Sequence, residues 1–507
     1  MTRRNLLLTL LLMLCTPFAA RAHVGSKDVF QTVHAGPYTL YVTIRPPLVI
    51  PGIATVEIRS SGVPVSGLKI TPLPVTGEAS KHAPASDTMK VDATDKSFFT
   101  GSIWIMAGGT WQVRVEVTGA AGTQTATVPV VAVPTAVLRM QRPLGIVLGV
   151  LGLFLVVSMA GLIAASVREA TLPPGVEPSA PLRRRGAIAL VASLAFLAFV
   201  VYEGGQWWNV EAADYAGHVF VPAEVHATLA GNTLDLDIAP PPAEKFARRR
   251  PLRTDTFLPD HGHLMHLYAI RWPQMDAAFH LHPTLAGPRD FRDVLPAMPP
   301  GHYKLFGDVV HANGFPETLL AEIDIPAGMK GTPLSAEDAE AFPPPLVWVR
   351  DNTQPSSKLP VTSTAVRGGT LGTAYKLPDG YSMVWDRPAT LTATTPYAFH
   401  FTLLDPAGKP ATDMQPYLGM AGHAAFVKTD GTVFAHTHPD GSAPMADVML
   451  ADESLGNSST MAAMQPPHVG SSVDFPYGFP TPGRYRIFIQ MKHGDTVETG
   501  VFDADVR

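Results

Sequence analysis

Eight of the eighteen histidines in this 507-residue chain fall into two matching sets. The first set runs His266, then Phe279-His280-Leu281-His282-Pro283, then Pro300-Gly301-His302-Tyr303-Lys304-Leu305-Phe306, then His311. The second runs His423, then Ala435-His436-Thr437-His438-Pro439, then Pro482-Gly483-Arg484-Tyr485-Arg486-Ile487-Phe488, then His493. Four histidines at corresponding places in two copies imply a duplicated domain with a shared site. Neutral imidazoles in threes or fours suit zinc or copper, whereas calcium and magnesium take oxygen ligands. The expected metal ligands are therefore His266, His280, His282 and His311 in one copy. In the other they are His423, His436, His438 and His493, and the expected ion is copper, with zinc as the alternative.

The spacing makes a geometric demand on the elements that carry these rings. In the second copy Asp430-Gly431 is a two-residue hairpin turn. Pairing outward from it sets Val427 opposite Phe434, Ala425 opposite His436 and His423 opposite His438. Side chains alternate along a strand, so all three imidazoles share one face. In the first copy the same pairing of His266 with His282 centres an odd loop on Gln274 and sets Tyr268 opposite His280. His311 and His493 follow the Tyr-x-x-Phe strand and are placed to supply a fourth ligand. His261 and His263 stand beside the first set, either extending it or lying in solvent.

Other readings of these residues remain open. Two histidine ladders without metal satisfy the same pattern. Met420, Met445, Met449, Met461, Met464 and His468 cluster about an insertion at roughly 441–470, and thioethers favour Cu(I), although methionine also fills core gaps. A cupin-like metalloenzyme would want a glutamate shortly after His-x-His, and neither copy has one. A third alternative is a metal-independent envelope scaffold that binds another envelope protein through its domains.

The elements must be mostly strands. Pro (49) and Gly (43) are abundant and charged residues are only 16% of the chain, which favours short strands and turns. The formal charge is −5, and removing Arg3, Arg4 and Arg21 with a leader lowers it by three, to −8, which excludes nucleic acid as a natural partner. The lone cysteine, Cys15, lies in that leader, so the mature chain has neither a disulfide nor a thiolate ligand.

Residues 1–22 combine two arginines, an apolar run and Ala20-Arg21-Ala22, the pattern of a cleavable signal peptide. Residues 143–167 and 186–202 contain no charged side chain and read as two transmembrane helices. Arg168 and Arg183-Arg184-Arg185 mark the loop 168–185 as cytoplasmic by the positive-inside rule. Both soluble regions then lie outside a bacterial inner membrane, in the periplasm. Gly145 and Gly149 form a GxxxG that would permit close helix packing.

The expected fold is mainly β: three Ig-like antiparallel β-sandwich domains and a two-helix transmembrane hairpin. The sandwiches are residues 23–140, 209–350 (first histidine repeat) and 351–507 (second), with proline-rich linkers or loops at 240–251 and 343–360. In the first, alternating apolar stretches recur at 38–44, 54–60, 102–108, 111–117 and 125–133. The stretch GPYTLYVTIRPPLVIPGIATVEIRSSG, with WIMAGGTWQVRVEV, resembles YtkA-like and FixH-like periplasmic domains. That resemblance implies a small sandwich associated with copper or cytochrome oxidase assembly. Cleavage after Ala22 would leave His23 as the N-terminus, offering amine and imidazole to one ion in the manner of CopC-like copper carriers, with His34 or His82 as the second ligand. The H…HxHP and PGxYxxF arrangement resembles membrane-anchored bacterial proteins of no established activity, some described as heavy-metal binding.

Overall fold

The structure is a computed structural model that describes residues 28–240, 253–346, 372–456 and 468–507. The expected leader, His23, Met461, Met464 and most of the two proline-rich stretches lie outside the described residues. The chain is mainly β, with antiparallel sheets and, among the described residues, three α-helices, two of them long and apolar. It divides into two compact units, one of residues 133–221 and the other of everything else.

The smaller unit holds α1 (Arg142–Glu169) and α2 (Ala180–Gly217). A proline in the first two positions starts each helix, where its missing N–H costs nothing. Pro173-Pro174-Gly175 follows α1 and cannot continue it. Both helices are long and apolar enough to cross a membrane. At 38 residues α2 spans about 57 Å, well beyond the roughly 30 Å of a hydrocarbon core. It therefore carries Trp207 and Trp208 and continues through residues 209–217, so the first repeat begins later than the expected residue 209. Arg183, Arg184 and Arg185 sit in its first two turns, where the helix dipole disfavours cations, so helix stability does not account for them. The helices approach where Gly186 meets Arg168 and the Ala164 carbonyl; a Cβ there would lie 3.1 and 3.2 Å away. A Cβ on Gly149 would meet nothing within 4 Å among the described residues, so the GxxxG is not the face on which these two helices pack.

In the larger unit, residues 29–132 form two sheets. Val29–Ala35, Tyr38–Arg45, Gly52–Gly62 and Phe98–Ile105 belong to one, and Val65–Pro74, Gly109–Gly119 and Gly122–Ala132 to the other. Alternation decides the faces: Ala54, Val56 and Ile58 are fully buried while their neighbours point outward. Ile44, Ile70, Val113 and Val128 join them in one core between the sheets. Each such aliphatic contributes about 1.5–3 kcal/mol by leaving water.

The two histidine repeats have the same plan. Each pairs a smaller sheet with a larger one that carries the histidine hairpin. In the first repeat the larger sheet contains His266–Arg271, Ala278–Leu281, Gly301–His311 and Pro316–Ile325. In the second it contains His423–Lys428, Phe434–Thr437, Gly483–His493 and Thr496–Val506. Tyr303 and Tyr485, at matching positions, each donate to the carbonyl four residues back. Each repeat has its own core, and a further core lies between them. Leu267 and Ala269 face inward, whereas Tyr268 and Ile270 pack against Ala425, Val427, Phe434 and Phe488 of the other repeat. Both histidine strands are thus buried on both faces, and Phe306 and Phe434 stack across the seam at 4.6 Å. Arg486, fully buried, binds Asp503 through two nitrogens and donates to the Met275 and Pro344 carbonyls of the first repeat.

Candidate metal centre

The hairpin registers are those that the turns imply. Val427 pairs with Phe434 and Ala425 with His436. Gly431 takes φ 77, and the Asp430 side chain accepts from Thr432, closing the turn. In the first copy Tyr268 pairs with His280, and the odd loop closes through Met275 N–H to the Arg271 carbonyl. His266 pairs on its other side with Asp308, and His423 with Gln490, so those two positions are equivalent.

His266, His280 and His282 converge: each brings one ring nitrogen within 4.8 Å of the others. Their outer partners select the tautomers. His266 Nε2–H donates to the Asp260 carbonyl at 3.0 Å, leaving a lone pair on Nδ1. His280 Nδ1–H donates to Gln490 Oε1 at 2.8 Å, leaving a lone pair on Nε2. His282 Nδ1 pairs with Asp338 at 2.9 Å, and its Nε2 is buried without a partner. His266 Nδ1 and His280 Nε2 consequently face each other at 3.2 Å, lone pair to lone pair. Two nitrogens on a tetrahedral ion, each about 2.0–2.1 Å from it, lie roughly 3.3 Å apart. A ring N–H given to a carbonyl or carboxylate, with the other nitrogen turned inward, is the usual support of a ligating histidine.

The second group consists of His261, His423 and His438. His261 comes from the first repeat, where Asp260-His261-Gly262-His263 is a tight turn with His261 at φ 51 and Gly262 at φ 88. Its Nδ1–H donates to the Leu418 carbonyl at 2.9 Å, and its Nε2 is buried and unpaired. His438 gives Nδ1–H to the Ala443 carbonyl at 3.4 Å and has an unpaired Nε2. His423 is completely buried with neither nitrogen paired. Its ring lies 5.1 Å from His261 and 5.0 Å from His438.

The two groups form one cluster across the seam. His436 touches both: its ring is 5.3 Å from His266 and from His423, and 4.8 Å from His438. Its Nδ1 lies 3.4 Å from Asp308, and its Nε2 is buried and unpaired. The support is reciprocal, since His280 of the first repeat leans on Gln490 of the second while His436 of the second leans on the equivalent Asp308 of the first. Burial, reinforced by neighbouring imidazoles, holds His266, His280, His423 and His438 well below the ordinary histidine value. The rings are therefore neutral near pH 7, the form that binds metal.

The remaining expected ligands lie elsewhere. His311 is not in either group: it contacts the Thr254 carbonyl and Glu317 at 3.2 Å. His493 stacks on Tyr381 and groups with Asp379 and Glu498 instead. The end of the eleven-residue strand that carries each of them is too far along to return to the hairpin face. Met420 and Met445 are buried and Met449 half-buried. His34, His82 and His468 are exposed. His263 lies at the margin, its ring 4.0 Å from His282 and its Nε2 2.9 Å from Glu337. The sequence places His261 and His263 beside the first set but carries no signal for which repeat the His261 ring enters.

Residues 375–507 match a family described as a domain of unknown function (DUF8832), which covers the second repeat. No curated protein matches the chain. Among solved structures, an engineered protein is similar at 23% identity over 17% of this chain and 17% of its own length, with a TM-score of 0.14. A bacterial ice-binding adhesin is similar at 8% identity over 93% of this chain and 99% of its own, also with a TM-score of 0.14. Escherichia coli alpha-2-macroglobulin is similar at 9% identity over 92% of this chain and 31% of its own, with a TM-score of 0.18. Superpositions this loose bear on neither fold nor function.

Proposed function

We propose that the chain is a membrane-anchored envelope protein that binds copper, or zinc, in the histidine cluster between its two repeats, as a chaperone, buffer or sensor. The carrying observation is the set of buried imidazole nitrogens on His261, His282, His423, His436 and His438 that have no hydrogen-bond partner. Leaving such a group unsatisfied costs about 1–3 kcal/mol, and a bound cation removes that cost at several rings at once. The chemistry of the donor set agrees: neutral nitrogen ligands, no thiolate, and carboxylates only behind the rings. In this reading the leader is cleaved, α1 and α2 anchor the chain in a bacterial inner membrane, and the arginines of α2 keep the short connection cytoplasmic. The N-terminal sheets are then a YtkA- or FixH-like module in the periplasm, which fits the same copper context. A partner in the envelope would receive or deliver the ion.

The test is metal binding by the full chain in detergent, without an affinity tag of histidines. Cu(I), Cu(II) and Zn(II) are each offered and the bound ions counted, for the wild type and for His282→Ala/His438→Ala. Near-stoichiometric binding that falls in the variant supports the reading, and the preferred ion separates copper from zinc. Absence of binding above background for all three ions overturns it.

A further inference from the structure

The duplication makes each residue of one site comparable with its counterpart in the other. The turn Asp260-His261-Gly262-His263 stands six residues before His266, and Tyr417-Leu418-Gly419-Met420 stands six before His423. Both are closed by the same pair of backbone hydrogen bonds between first and fourth residues. Both have a left-handed second residue, His261 at φ 51 and Leu418 at φ 50. The two turns touch, since His261 bonds the Leu418 carbonyl. His261 crosses into the site of the second repeat, and Tyr417 reaches back behind His280, 3.1 Å from its Nδ1. A ligand therefore crosses in one direction only, because leucine at the equivalent place offers no lone pair.

The ligands of both groups are buried: His261, His423 and His438 are 5% exposed or less, and His266 and His280 are 1% exposed. The groups differ at their margins, since the first lies beside His263, whose side chain is 23% exposed, and Glu337, which is 56% exposed. His263 has no counterpart ligand position filled by histidine in the second copy, where Met420 stands.

We propose that the cluster holds two ions with unequal roles. His261, His423 and His438, with His436 beside them, hold an ion shared by both repeats, which ties the seam and exchanges slowly. His266, His280 and His282 hold a second ion with three imidazoles and an open position, which exchanges through His263 and Glu337. Structural sites are closed and reactive or exchanging ones keep an open position; each group here has three imidazoles and the His436 ring lies 5.3 Å from those of both His266 and His423, so the exposed margin makes the difference. The inference rests on the proposed function and adds the division of labour within it.

The probe is Zn(II) alone. The full chain in detergent is loaded, then challenged with excess chelator, and release is followed in time. The wild type should bind two ions per chain and lose them in a fast and a slow phase. His261→Leu should lose the slow phase, with release faster by at least the roughly 10- to 100-fold that even an outer partner of a ligand costs. Its zinc-dependent rise in thermal midpoint should shrink as well. Leucine is tolerated at φ 50 in the equivalent turn, so this variant should fold, and a cooperative transition in chelator with a midpoint no lower than that of the wild type checks that it does. His263→Ala should alter the fast phase only. One ion per chain, a single release phase, or a slow phase that survives His261→Leu overturns the unequal roles while leaving metal binding intact. No bound zinc in the wild type overturns the proposed function itself.

Discussion

Replacing His423 by leucine should make the metal-free protein more stable and the metal-loaded protein relatively less so. His423 is fully buried, and neither ring nitrogen has a hydrogen-bond partner. An unsatisfied buried polar group costs about 1–3 kcal/mol, and leucine removes it. A hydrophobic side chain of similar volume fits at a cost of less than about 1.5 kcal/mol. The rings of His261, Tyr417, His436 and His438 at 5.0 to 5.3 Å frame the space it must fill. The net expectation is a gain of about 1–2 kcal/mol in chelator, or roughly 2–8 °C in the midpoint of a cooperative unit of 150–250 residues. With Zn(II) at 100 times its Kd, each intact site adds about 2.7 kcal/mol, and the variant forgoes one of them. The order of stability should invert between chelator and zinc, which thermal unfolding of the full chain in both buffers reads directly. If the variant is less stable than wild type in chelator, His423 is a structural histidine and the ligand argument fails.

The metal-free protein should weaken as the pH falls below about 6.5, the value an unfolded histidine takes. His266, His280, His423 and His438 have folded values well below that, so over the interval between the two values the unfolded chain binds more protons than the native one. Stability then rises with pH through that window, by about 1.4 kcal/mol per pH unit for each such ring; a urea midpoint that stays flat from pH 7.5 to 5.5 in chelator contradicts this. Arg486→Met should destabilise by roughly 3–5 kcal/mol, because it removes the two-nitrogen partner of the buried Asp503 carboxylate, leaving Arg484 at 3.9 Å, and cuts two bonds across the seam, and Arg486→Met/Asp503→Leu should recover much of it. Urea unfolding of both variants checks the pair, and an equal loss in the double variant would show that the charge was not the cause. Since Cys15 lies in the expected leader, introduced thiols report topology: an impermeant reagent should label Asp505→Cys on intact spheroplasts but Glu177→Cys only after lysis, and the reverse pattern inverts the membrane orientation.

The parts of the site written in the sequence are the local ones. Asp430-Gly431 fixes where the second hairpin turns, alternation fixes which residues share a face, and so His423, His436 and His438 follow without knowledge of anything distant. The strands of the N-terminal sheets are legible for the same reason, as are the two long apolar helices. The pairing of the two repeats is different in kind. Each larger sheet has an inner face for its own core and an outer face of Tyr268, Ile270, Ala425, Val427 and Phe434, and only packing shows that these outer faces cover one another. That contact merges two expected sites into one cluster and brings His261 to His423, across residues that share no local pattern. It also explains the loss of His311 and His493: they match in the alignment because the strands match, but their place along those strands carries them away from the seam. Sequence alone therefore determined the ligand type and the hairpin geometry, because turns and alternation act over a few residues. Tertiary structure decided which rings come together, because that depends on how the two larger sheets bury their remaining apolar faces.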